Sequence, residues 1–217
     1  MKKQIIALLF SALFLGCASK IADEDEYSGF LKSYKYLQEM EASDQVDVLA
    51  WTSDNFKKGK FHSILLDPVA IYPAIPSKDD MSKSTVKIML DHFNSALQSE
   101  LSKTVKLADT PGPGVARLRI AITSVDKTIK DYKWYSYSPI TFVVTSAGEL
   151  TGLRDKVVVL NVEAELVDSI TNEAQLAAVR KDFGLPIDGD DQIPMDSIKK
   201  TIDKWAKNIG SYMKKNF

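Results

Sequence analysis

Two stretches of the chain carry apolar positions at every second residue. Leu118, Ile120 and Ile122 face one way, and Arg117, Arg119, Ala121 and Thr123 face the other, the period-2 signature of a β-strand. From Val157 to Asp168, Val158, Leu160, Val162, Ala164 and Leu166 alternate with Val159, Asn161, Glu163, Glu165 and Val167. Residues 168–173 then read as a hairpin turn, with Asn172 suited to a left-handed backbone. The returning strand is expected over Ala174 to Arg180. A further strand is predicted from Phe61 to Ile71, where Pro68 cannot donate to a ladder and marks an edge or a bulge.

Elsewhere the period changes to that of a helix. Val86, Leu90, Phe93, Leu97 and Leu101 form one apolar stripe, with Ser82 or Ser84 as its predicted cap. Thr110-Pro111-Gly112-Pro113-Gly114 ends that pattern. A last helix is predicted after Asp196, with the stripe Ile198, Ile202, Trp205, Ile209 and Tyr212. Loops are expected at residues 72–81 and 129–153. The order β-α-β-β-β-α predicts a single α+β domain over residues 61–217. Its sheet is expected to be mainly antiparallel, with two amphipathic helices on one face.

The first residues follow neither period. Lys2 and Lys3 precede the apolar run Ile5 to Gly16, and Cys17 follows it. This is the charged, apolar and small-residue sequence of an export signal, and the run is too short to span a bilayer as a helix. The window Leu13-Phe14-Leu15-Gly16-Cys17 resembles the bacterial lipobox. That resemblance implies removal of residues 1–16 and acylation of Cys17. The alternative is an ordinary secretory leader followed by a chance cysteine. Cys17 is the sole cysteine of the 217 residues, so an internal disulfide is excluded and an acylation site explains the thiol better. One acyl chain gives only marginal attachment, whereas lipoproteins of this kind carry three. Ala18 stands where inner-membrane retention signals typically place Asp. The implied location is the inner leaflet of a Gram-negative outer membrane, facing the periplasm.

Removal of residues 1–16 would take two lysines with it, lowering Lys+Arg from 28 to 26 against 29 acidic residues. That balance excludes a nucleic-acid binder of the usual basic kind. The lack of further cysteines excludes disulfide scaffolds, iron–sulfur clusters and thiolate zinc sites. No cofactor is expected. Residues 17–60 form a polar opening that includes the run Asp23-Glu24-Asp25-Glu26, read as a solvated, flexible tether. The apolar residues of Tyr27 to Leu37 need burial, so this segment is expected to lie across the domain surface.

Four pieces of the chain carry a family resemblance. They are Tyr27-Ser28-Gly29-Phe30-Leu31, Leu66-Asp67-Pro68-Val69, Ala116-Arg117-Leu118-Arg119, and the run from Val162 to Ser169. On these the chain resembles the bacterial lipoprotein family catalogued as domain of unknown function 3313. The resemblance implies a periplasm-facing lipoprotein and supplies no catalytic residues. Asn172 stands where such hairpins commonly carry Gly, which bears on turn energetics alone.

Candidate chemistry is sparse. His62 and Asp67 could form a His–carboxylate pair, though no motif supports it. His92 lies off the helical stripe and reads as a surface histidine. Glu163 and Glu165 share a strand face and could do acid–base work, but glutamates alternating with apolar residues read as the wet side of a sheet. Asp188, Asp190, Asp191 and Asp196 lack the order of a calcium loop and read as a solvated helix lead-in. The aromatics Tyr132, Trp134, Tyr135 and Tyr137, among Lys127, Lys130 and Lys133, are candidates for gripping a partner protein, a glycan or the bilayer interface. The alternative is that they fold back onto the sheet. The expected function is a non-enzymatic, membrane-anchored module that binds a partner, an envelope protein being one candidate, or supports envelope assembly, with Cys17 as the lipidation site and Trp134, Tyr135 and Tyr137 as partner-binding candidates. The competing class is a periplasmic hydrolase or glycan-active enzyme that uses carboxylates and His62.

Overall fold

The computed structural model describes residues 21–42, 46–73, 80–123, 143–146, 156–187 and 195–217. Among these, the strands are β1 (Gln38–Glu41), β2 (Asp47–Thr52), β3 (Ser63–Leu66), β4 (Ala70–Ile71), β5 (Lys106–Leu107), β6 (Val115–Thr123), β7 (Val143–Ser146), β8 (Lys156–Asp168) and β9 (Ala174–Ile187). The helices are α1 (Asp80–Ser102) and α2 (Met195–Asn216), with a 3-10 turn at Glu24–Glu26. All nine strands join one mixed sheet in the order β1-β2-β9-β8-β6-β3-β5, with β4 beside β6 and β7 beside β8. The fold is α+β, as the patterning predicts. β3 and β4 run parallel to β6, while β6, β8 and β9 pair antiparallel at the centre.

One sheet face builds the main core. Leu118, Ile120, Ile122, Leu160, Val162 and Leu166 are buried with Met89, Phe93, Leu97 and Leu101 of α1 and Ile198, Ile202, Trp205 and Met213 of α2. Burying a side chain of this size contributes roughly 1.5–3 kcal/mol, so this layer dominates the stability of the domain. The helices touch along their length through Phe93 and Trp205, whose ring centroids are 5.9 Å apart, and through His92 and Asp203 at 2.8 Å. Further along, a Cβ on Gly210 would come within 3.3 Å of the Glu100 Cβ and carbonyl. Any larger residue there would need Glu100 to give by a few tenths of an ångström. The contacts advance together along both chains, so the two helices run parallel.

Several details depart from the sequence pattern. Pro68 does interrupt its strand, splitting it into β3 and β4, and the Asp67 and Tyr72 amides continue the ladder by donating to the Leu118 and Ile122 carbonyls. Helix α1 begins at Asp80, ahead of the predicted serine cap. In α2 the buried stripe turns through Ala206 and Met213, leaving Tyr212 exposed, because 3.6 residues per turn rotates a 4-3-4-3 ladder off its face. Strands β1 and β2 extend the sheet with residues from the polar opening, next to β9. The run at residues 23–26 is no solvated tether throughout: Glu24–Glu26 is a 3-10 turn and Glu26 is buried.

Candidate functional site

The second face of the sheet holds the polar side chains of the alternating strands. Arg119, Ala121 and Thr123 stand opposite Glu165, Glu163 and Asn161 across β6 and β8. In β9, Ala177, Val179 and Lys181 stand opposite the same three β8 residues. The pattern predicts this face to be wet, and that expectation is corrected: Glu163 is 0% and Glu165 1% exposed. They are covered by residues 21–37, which cross the sheet as a strap. The strap packs Ala22 and Leu31, with Tyr27, Phe30, Tyr34 and Leu37, against Ala177, Val179, Leu49 and Trp51.

Each buried charge under the strap has partners. The Glu163 carboxylate accepts hydrogen bonds from the Ser28 amide at 2.9 Å and the Tyr34 hydroxyl at 2.5 Å. The same Tyr34 oxygen accepts from the Gly29 and Leu31 amides, which clamps the strap into a loop. Burial, then the Glu163 hydrogen bond, pushes the Tyr34 phenol up to about 12. Tyr27 stacks on Tyr34 at 4.4 Å, and its phenol is likewise raised, chiefly by burial. Glu165 is held by the Arg119 guanidinium, which also lies 5.1 Å from the Phe30 ring centroid. At the start of the strap, Lys181 Nζ donates to both Glu26 oxygens, at 2.8 and 3.1 Å. Because an unpaired buried charge is costly, these pairs fix where the strap can lie.

Two neighbouring groups are differently placed. The side-chain polar atoms of Thr123 (Oγ1) and Asn161 are buried with no hydrogen-bond partner among the described residues. A cleft of about 350 Å³ on the far side of β3 is lined by Leu66, Asp67, Pro68, Asn94, Gln98, Leu107, Ala108 and Asp109.

The proposed His62–Asp67 pair is not assembled. His62 Nε2 lies 3.1 Å from the Pro113 carbonyl and its Nδ1 3.1 Å from Ser63 Oγ. Asp67 instead accepts from Arg117 Nε at 2.8 and 3.0 Å. His62 is absent from the lining of that cleft. His92 is half-buried and pairs with Asp203 across the helices. Asp196 is exposed in the first turn of α2, and no group of three metal-ligating side chains occurs among the described residues. Cys17, Trp134, Tyr135, Tyr137, Asp188, Asp190 and Asp191 lie outside the described residues. The segment Tyr27 to Leu37 lies across the sheet as its apolar residues predict; what the sequence does not show is that it covers Glu163 and Glu165 and bonds to them.

The four segments of the family resemblance meet in these contacts, since Ser28 holds Glu163, Arg119 holds Glu165, and Arg117 holds Asp67. Fold and strap define a single α+β domain whose sheet is covered by helices on one side and by its own N-terminal segment on the other. The family model described as "Protein of unknown function (DUF3313)" matches residues 26–209, and the chain belongs to that family. It is 32% identical over 204 residues to "Uncharacterized lipoprotein YdcL" of Escherichia coli, covering 93% of this chain and 91% of the relative. Among solved structures, protein XCC0632 of Xanthomonas campestris is similar at a TM-score of 0.39 and 10% identity, over 76% of this chain and 90% of that one. The PelC dodecamer of Paraburkholderia phytofirmans gives 0.36 and 12%, over 73% and 96%. Neither likeness bears on function.

Proposed function

We propose that this chain is a lipoprotein fixed through acyl chains on Cys17 to the inner leaflet of a Gram-negative outer membrane. Its domain faces the periplasm and binds an envelope protein without catalysing a reaction. The observation that carries this reading is the strap: the residues that follow the acylation position lie across the sheet and cover Glu163 and Glu165, the carboxylate pair that the alternating strands offer for acid–base work. The similarity to a lipoprotein over nearly the whole chain supports the anchored part of the reading. The competing reading, an enzyme using carboxylates and His62, is less well supported, because His62 contacts Pro113 and Ser63 while Asp67 pairs with Arg117.

Mass spectrometry of the membrane-extracted protein and of Cys17→Ser tests the anchor. Acyl mass on the first and its loss from the second are expected, together with release of the variant from membranes. Recovery of the unaltered chain with the inner membrane would contradict the location. In-cell crosslinking then tests the binding role, using the exposed amines of Lys200, Lys207 and Lys214 on α2. A reproducible envelope protein among the products is expected. No such product, together with turnover of a cell-wall or glycan substrate by the purified domain, would reverse the reading.

A further inference from the structure

We infer that the strap side of the domain rests on the headgroup layer of the bilayer that holds the Cys17 lipid, with Tyr36 and Tyr72 at the contact. This rests on the anchored reading above. Between Cys17 and Ile21 the chain can span at most about 14 Å, whatever its conformation. Ala22 is already 4% exposed and packed into the cluster under the strap, on the sheet face opposite the main core. A domain on so short a leash has its strap side near the bilayer and its helices turned away.

The strap side carries the chemistry for that position. Tyr36 is 55% exposed and tilts over Trp51 at 5.9 Å, with Lys35 Nζ 5.3 Å from its ring. Tyr72 is 39% exposed and meets Phe30 edge-on at 5.7 Å. Amphipathic rings beside lysines are the residues that settle at a lipid–water interface. Lys32 and Lys35 are exposed on the same segment, as are Asp23, Glu24, Asp25, Glu39 and Glu41. That surplus of carboxylates does not favour an anionic surface. It fits a headgroup layer that is zwitterionic, with ammonium groups among the phosphates.

The test uses the full acylated chain in vesicles of phosphatidylethanolamine and phosphatidylcholine that contain a headgroup-labelled quencher lipid. A fluorophore is placed at Ser33→Cys on the strap or at Lys207→Cys on the outer side of α2, both exposed positions. Quenching several-fold stronger at position 33 is expected, and it should weaken when phosphatidylglycerol replaces half of the lipid. Tyr36→Ser with Tyr72→Ser should reduce it further. Equal quenching at both positions, or stronger quenching at 207, would overturn the inference, as would photo-crosslinking from position 33 to a protein instead of lipid. Acyl mass and co-flotation are read on the same sample. A protein that floats with acyl mass but quenches evenly sinks this inference alone. One without acyl mass that does not float sinks the anchored reading as well.

Discussion

The Tyr34 hydroxyl donates a 2.5 Å hydrogen bond to Glu163, 129 positions away in the chain. This contact joins the first segment of the domain to its central strand, with Tyr34 half-buried and Glu163 fully enclosed.

Tyr34→Phe removes that donor and leaves a buried carboxylate with the Ser28 amide as its remaining hydrogen-bond donor. The expected cost is about 1–3 kcal/mol at neutral pH, read by denaturant unfolding. Because the folded phenol titrates at about 12 rather than near 10, its protonated form is favoured in the fold. Its contribution is therefore complete below pH 10 and lost as pH rises toward 12. The wild type should lose stability faster than Tyr34→Phe across that window. Parallel curves would contradict the assignment.

Arg119→Ala leaves Glu165 under the strap with the Lys32 amide, at 3.5 Å, as its remaining donor and should destabilise the domain by about 3–5 kcal/mol. Replacing both, as Arg119→Met with Glu165→Leu, should recover most of that loss, since the charge that needed a partner is gone. A double variant no better than the single one would show that the pair matters by shape alone.

The hairpin between β8 and β9 turns on Asp168 and Asn172. Asp168 Oδ1 accepts from the Ile170 and Thr171 amides, both at 2.9 Å, and those amide bonds hold its carboxyl below the ordinary value of 3.8. The stability it adds is present above that value and fades as pH falls through the lower folded pKa. Asp168→Ala should cost about 1 kcal/mol at neutral pH and less in acid. Asn172 has φ 56°. Gly there should be tolerated, while Val should cost roughly 1–2 kcal/mol. Thermal melts distinguish these outcomes.

Gly114→Ala tests the seat of His62. With φ +70°, a Cβ at this position would stand 2.7 Å from the His62 ring. Strain and collision add, so loss of at least about 1 kcal/mol is expected. The His62 ring should also be displaced from Pro113, visible as a shift of its NMR resonances. An unperturbed imidazole would show that the loop absorbs the change.

The α+β class was legible because β6, β8, α1 and α2 each follow one period over many residues. Leu118, Ile120 and Ile122 lie where their spacing puts them, as do Val86, Phe93, Leu97 and Leu101, while Met89 takes the fully buried place expected of Leu90. The burial of Glu163 and Glu165 was not legible, because local alternation describes one strand and cannot reveal what a distant segment covers. β1 and β2 escaped for a related reason. Gln38 to Glu41 is exposed along its whole length, so the strand comes from pairing with β2 and has no apolar face to announce it.

The distance along the chain between the strap and its seat sets an order of events. Ser28 and Glu163 are 135 positions apart, and Glu26 and Lys181 are 155. A chain made from its N-terminus exposes Tyr27, Phe30, Leu31 and Tyr34 well before β8 and β9 exist to receive them. Closing so long a loop comes late in folding. Under the lipid-anchored reading, docking of the strap would set how near the finished domain stands to its anchor.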